Sequence, residues 1–341
     1  MCPRRHRTTA FLVVILVVLA GCERDIPDAE SVYLSITDTT TTTVDDSSFP
    51  LKGLSAISFT GASSFVAADQ SDQVVVIEGS RVTRRFGTQG EGPCEIQNPW
   101  LVEVDGNLVY ILDADKSTIL KHHLDSGSCI EEFTNQEFRR FNGLASSGDL
   151  LFGVMGGIGA QSDSSAAAVY SVDVNGQLSP LNITRGEIPR TKVPAPVRMQ
   201  APIKLRDSRL YFSVALGKAV VDADLVSGEY TVMDLPFDTP ELAVDASMQS
   251  VMTFLNEAEL LRDFFVLSDH FVYVSRQPSP GEPGNWYAYF VDKNGSAVLR
   301  TDPIDGQIVN VTDSEIVAIR IDESATTTPF RLVRYSYQIG S

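Results

Sequence analysis

Apolar and polar residues alternate with a period of two from about residue 31 to the end. Short β-branched and aromatic runs recur every 42 to 61 residues, and helical patterning is scarce. These three observations predict an all-β fold of six similar units, a six-bladed β-propeller closed by an N-terminal strand and preceded by an export leader.

The repeating unit is a polar turn, an apolar strand, a second turn and another strand. The apolar strand begins near Phe65, Val109, Leu151, Leu210, Phe271 and Ile316, at spacings of 44, 42, 59, 61 and 45. A following strand fits each unit: Val74–Ile77, Thr118–His122, Ala168–Val172, Ala219–Ala223, Trp286–Val291 and Arg331–Tyr335. A third is visible at Val82–Phe86, Cys129–Phe133, Tyr230–Met233 and Ala297–Arg300. Asp105-Gly106-Asn107, Asn175-Gly176 and Asn294-Gly295 supply hairpin turns. The two long spacings hold insertions, at Thr184–Gln200 and Thr239–Arg262. The latter, with Pro240 near its start and Leu255, Leu260 and Leu261 within, predicts a short helix. The last unit lacks an outer strand after Tyr335–Gln338, and Val32–Ile36 has no unit of its own, so Val32–Ile36 is expected to complete the sixth blade. The threonine run Thr39–Thr43 would then lead into blade one, or form a low-complexity linker.

The chain of 341 residues carries 27 basic and 44 acidic side chains, a net charge of −17, with 43% hydrophobic residues. That apolar share supports a packed core, and the acidity argues against a nucleic-acid partner. The N-terminus reads as a leader. Arg4, Arg5 and Arg7 precede the 11-residue apolar run Ala10–Ala20, which is short for a membrane span of about 30 Å. It ends in Leu19-Ala20-Gly21-Cys22, which resembles the bacterial lipobox. That resemblance implies a signal peptide at 1–21, lipid attachment at Cys22, a tether over 22–30 and the propeller over 31–341 in the bacterial cell envelope, facing the periplasm or exterior. Loss of the leader's three arginines would take the net charge from −17 to −20.

Phe86-Gly87-Thr88-Gln89-Gly90-Glu91-Gly92-Pro93-Cys94-Glu95-Ile96, followed by Asp105-Gly106-Asn107-Leu108-Val109-Tyr110-Ile111-Leu112-Asp113, resembles the NHL-type repeat and the bacterial six-bladed β-propeller lipoproteins. Cys94 stands where that family often has glycine, and Ile96 where it often has phenylalanine. The resemblance covers one blade and implies a lipid-anchored module that binds a protein, peptide or glycan partner. Gly90, Gly92, Pro93 and Glu95 of the connector and Asp113 and Asp115 of the facing turn are its candidate binding residues. A dinucleotide-binding reading of Gly87-x-x-Gly90-x-Gly92 fails, because prolines and strands follow instead of a helix.

Catalytic motifs are scarce. His122 and His123 are neighbours in a strand and point to opposite faces, and no HExxH, paired-cysteine or G-x-S-x-G motif occurs. The expectation is therefore no metal and no cofactor. Against it stands an alternative: some six-bladed propellers are calcium-dependent hydrolases or lyases of lactonase type, with carboxylates ringing the central channel. Asp113 and Asp115 could belong to a calcium loop, or simply cap a turn. With Cys22 acylated, Cys94 and Cys129 remain as a pair for a disulfide. Strand order places Cys94 at the connector face and Cys129 at the far end of an outer strand, roughly 13 Å away, which favours two partly buried thiols. Trp100, Trp286, Tyr287 and Tyr289 suit sugar stacking or, more simply, core packing.

Overall fold

The computed structural model describes residues 34–44, 51, 53–69, 71–148, 150–156, 166–191, 199–242, 247–279, 282–295, 298–321 and 330–339. The leader, Cys22 and the tether lie outside them. Strand β1 (Ser35–Thr43) comes first. Blade one contains β2 (Leu54–Gly61), β3 (Ser64–Asp69), β4 (Gln73–Glu78) and β5 (Arg81–Phe86). Blade two contains β6 (Pro99–Asp105), β7 (Leu108–Asp113), β8 (Thr118–His123) and β9 (Cys129–Thr134). Blade three contains β10 (Phe141–Ser147), β11 (Leu150–Met155), β12 (Val169–Val172) and β13 (Leu178–Pro180). Blade four contains β14 (Ile203–Arg206), β15 (Arg209–Phe212), β16 (Ala219–Asp224) and β17 (Tyr230–Asp234). After helix α1 (Met248–Glu257), blade five contains β18 (Leu260–Val266), β19 (His270–Ser279), β20 (Glu282–Asp292) and β21 (Val298–Arg300). Blade six contains β22 (Gln307–Val311), β23 (Glu315–Ile321) and β24 (Phe330–Gln338). The chain is an all-β, six-bladed β-propeller.

Each blade is a four-stranded antiparallel sheet, innermost strand first in blades one to five. In blade six the order is β22, β23, β24, then β1, so the ring closes through the N-terminal strand as its outermost member. The closing strand is longer and later than the alternation suggests. It pairs from Ser35↔Gln338 to Thr43↔Arg331, and the threonine run is the strand itself rather than a lead-in. The physical reason is that an outermost strand needs only backbone partners for the exposed edge of β24. β-Branched threonine extends readily and tolerates solvent on both sides. Only Leu34 and Val44, at its two ends, are deeply buried.

The middle strands are apolar on both faces because each blade is sandwiched between two others. Phe65, Ala67, Val75 and Ile77 of blade one pack with Val317, Ile319 and Leu332 of blade six. Val66, Val74 and Val76, from the opposite face, pack with Val102, Val109 and Ile111 of blade two. The same arrangement runs around the ring.

The helix is shorter than the 239–262 stretch. Ser247 caps it, accepting from the Ser250 amide at 3.1 Å, and Val251 and Phe254 are its buried side chains. Leu260, Leu261 and Arg262 belong instead to the inner strand of blade five. Leucine at helical spacing and leucine in a strand look alike over so short a run.

Candidate functional site

The face on which the connectors enter the inner strands is shaped by recurring bulges. Pairing of β2, β6, β10, β18 and β22 with the next strand shifts by one residue, leaving Ser55, Trp100, Asn142, Arg262 and Val309 as the extra residues. A bulge leaves its residue unpaired in the ladder and re-aims its groups. Three of the freed carbonyls are used by the connector into blade four. The Gln200 side-chain amide donates to Ser55 O at 2.8 Å and Trp100 O at 3.3 Å, and the Ala201 amide donates to Asn142 O at 2.7 Å. Gln200 and Ala201 thereby strap the channel mouth to blades one, two and three.

Beneath the strap lies a narrow throat of about 90 Å³ lined by Glu103, Asn142, Lys204, Arg262 and Asp263 among others. Lys204 of blade four lies 3.3 Å from the Asp263 carboxylate of blade five and over the Phe265 ring. Glu103 of blade two accepts from the Ser58 hydroxyl of blade one at 3.3 Å and from the Ser146 amide of blade three at 3.4 Å. Burial pushes its carboxyl up to about 7, against the opposing pull of Lys204. The channel therefore presents two carboxylates with a lysine beside them. Among the described residues, no group of three or more His, Cys, Asp or Glu side chains is placed to hold a metal ion.

Over blades five, six and one, a wider recess of about 640 Å³ opens on this face. Ile57, Arg276, Trp286, Pro303, Arg320 and Phe330 contribute to its wall. Ile57 also borders the throat. Arg320 is paired to Asp305 at 2.5 Å on the rim. No helix among the described residues is long and apolar enough to cross a membrane.

The motif-bearing connector lies on the same face, and most of its candidate residues are tied up internally. Asp113 is fully buried. Its Oδ2 accepts from the Gln97 amide at 2.6 Å and the Asn98 amide at 3.2 Å, and its Oδ1 from the amides of Asp115 at 3.2 Å and Lys116 at 3.1 Å. Asp69 repeats the device in blade one, accepting from Gly53 and Ser71 amides. The closing aspartate of the motif clamps a connector to a turn. Lys116 donates to Gly92 O and Glu95 O, each at 2.9 Å, and lies 3.5 Å from Glu132. Glu95 accepts from the Gly92 amide at 2.7 Å and lies where any Cβ on Gly90 would fall. Pro93 and Asp115 are exposed, and Asn98 donates to Asp115 at 3.0 Å.

Cys94 and Cys129 are bonded, with their Cα atoms 6.0 Å apart rather than the roughly 13 Å that strand counting gives. The connector folds down the flank of β9, where the Cys94 amide donates to Glu132 at 2.8 Å. Cys94 has φ of 59°, a left-handed conformation that glycine enters freely. This accounts for glycine at that position of the motif and for cysteine being tolerated where a bridge holds it.

Of the aromatic candidates, Tyr287 and Tyr289 are buried. Arg300 stacks on Tyr287 at 3.8 Å, and Tyr289 donates to Glu259 at 2.8 Å. Trp286 reaches the recess. His122 is buried, with Nδ1 3.1 Å from Gly127 O, and His123 is exposed. Burial pushes the His122 imidazole below its usual range. The strap, the recess and the Arg262–Arg276 juxtaposition were not reached from sequence. An arginine inside the apolar run Leu260-Leu261-Arg262-Asp263-Phe264-Phe265 was the available signal.

No protein-family model matches this sequence, and no curated protein is similar to it. Solved structures align with it, and the first of those below shares its fold. A protein described as exported, from Bacteroides fragilis, aligns with a TM-score of 0.58 over 90% of this chain and 97% of its own, at 12% identity. BamB from Moraxella catarrhalis aligns at 0.42 and 10% identity, over 83% of this chain and 85% of its own. YCF48 bound to D1 peptide aligns at 0.46 and 12% identity, over 83% and 78%. The likeness is one of fold.

Proposed function

We propose that this chain is a membrane-anchored, extracytoplasmic binding module that presents its connector face to a protein or peptide partner. The observation that carries the reading is the recess over blades five, six and one. Its volume of about 640 Å³ lies in the range of ligand sites, typically about 300–1,000 Å³, and it combines apolar walls with a few charged groups. Closure by β1, the strap at Gln200 and the Cys94–Cys129 bridge support a rigid frame for that surface. The Leu19-Ala20-Gly21-Cys22 sequence supports anchorage through acyl chains on Cys22. The net charge of −20 left once the leader's three arginines are removed from −17 favours a body held off an anionic membrane surface.

The test places a photo-crosslinking residue at Gln307, beside the recess, or at Val226, on the opposite face, in the full chain expressed in its envelope. One defined adduct from Gln307, lost with Trp286→Ala, and none from Val226 is expected. Equal adducts from both positions, or none from Gln307, would overturn the reading. Labelling of the chain by palmitate that persists in Cys22→Ala would overturn the anchor.

A further inference from the structure

Arg262 and Arg276 form a cation pair that no acidic side chain among the described residues joins in an ion pair. Leu260 pairs with Arg276 and Leu261 with Ser275, so the bulge at Arg262 sets the two guanidinium-bearing residues side by side on blade five. Arg262 Nε is buried and has no hydrogen-bond partner, and Nη2 meets only the Leu255 carbonyl of α1, at 3.4 Å. Burial and the neighbouring Arg276 charge together push the Arg262 guanidinium down to about 10. No ion pair involves either arginine among the described residues. The acids that line the throat and the recess have other partners: Asp263 pairs with Lys204, Asp305 with Arg320, and Glu103 accepts from Ser58 and Ser146, while Glu259 accepts from Ser275 and Tyr289. Two like charges held together cost stability unless something of opposite sign joins them.

We propose that the recess is a carboxylate site, with Arg276 receiving the carboxylate and Arg262 reinforcing it from the throat, and that the ligand is the free C-terminus of a peptide. This rests on the binding-module reading above. Arginine's planar fork matches a carboxylate in two parallel hydrogen bonds, and partial burial strengthens them. The rest of the wall selects among carboxylates. Ile57, Trp286, Pro303 and Phe330 offer an apolar seat for the side chain next to the terminus. Asn285 and Gln307 also line the wall, so the apolar seat is what favours a peptide over an acidic sugar. The repulsive field of the whole chain is screened beyond about 8 Å at physiological salt, so the local pair decides.

The test is calorimetric titration of the whole chain with acetyl-Ala-Ala-Phe as free acid and as C-terminal amide, and with trigalacturonic acid. The free acid is expected to bind at least 10-fold tighter than the amide. Arg276→Gln should lose at least 10-fold for the acid and nothing for the amide, while melting no lower than the parent. Arg81→Gln, exposed at the β4–β5 turn on the opposite face, should change the affinity less than 3-fold. Equal binding of acid and amide, or unchanged affinity in Arg276→Gln, would overturn the carboxylate site while leaving the binding-module reading standing. Tighter binding of trigalacturonic acid than of the peptide would overturn the peptide assignment, and no binding of any probe at 10 mM would overturn the site.

Discussion

Replacing Glu103 with glutamine should stabilise the protein above neutral pH and do little near pH 4.5. Glu103 is held in the throat with its carboxyl pushed up to about 7 from a usual value of 4.5. Between those values the folded chain binds a proton that the unfolded chain has released. Stability therefore falls as pH rises through that window, and the loss is complete above the folded value. A shift of about 2.5 units corresponds to about 3 kcal/mol at pH 8, an upper figure because the throat admits some water. Glutamine keeps its oxygen for the Ser146 amide and can donate its NH2 to the Ser58 hydroxyl, which accepts as well as donates, and Lys204 keeps Asp263. Urea unfolding of the parent and Glu103→Gln at pH 5 and pH 8 measures the effect. Stabilities within about 1 kcal/mol of each other are expected at pH 5, where the loss has only begun, and a gain approaching about 3 kcal/mol for the variant at pH 8. A difference between the two proteins that stays constant from pH 5 to pH 8 would refute the assignment of a strained carboxylate to the channel.

Other substitutions separate clamps from accessible surface. Asp113→Ala strips four backbone donors of their acceptor and should cost about 3 kcal/mol or more, whereas Asp115→Ala should cost less than about 0.5 kcal/mol; urea unfolding compares them. The double replacement Cys94→Ser with Cys129→Ser should cost at most about 4 kcal/mol, the loop-closure value for a separation of 35 residues, and the variant should still fold because Lys116 and Glu132 hold the connector. Deleting residues 34–44 bares the edge of β24, and sedimentation should then show dimers or aggregates where the parent is monodisperse.

Much of the ring was legible because blade strands carry their own signal. A strand buried on both faces, such as Val74-Val75-Val76-Ile77, must be apolar throughout, and its recurrence gives the repeat. The closing strand was legible in place but not in extent, because an edge strand satisfied by backbone pairing imposes no side-chain pattern on Thr39–Thr43. The motif's candidate residues meet at one connector and turn, where Asp113, Gly92 and Glu95 hold the connector to the blade. A motif marks a need for particular residues and does not say whether the need is binding or bracing. The bulges were invisible because one extra residue in a strand leaves no mark on a short pattern. With them went the strap at Gln200, whose acceptors lie 145 and 100 residues away in sequence, and the meeting of Arg262 with Arg276. The distance between Cys94 and Cys129 was misjudged because it was counted along the strand, while the connector itself comes down to meet it.

Hydrogen–deuterium exchange of the full chain, with and without acetyl-Ala-Ala-Phe free acid, tests the central claim most directly. The account predicts slowed exchange in the segment 303–307 and at 284–286, around the recess, and no change at 225–229 on the opposite face. Unchanged exchange around the recess at saturating peptide, or protection confined to the opposite face, would contradict it.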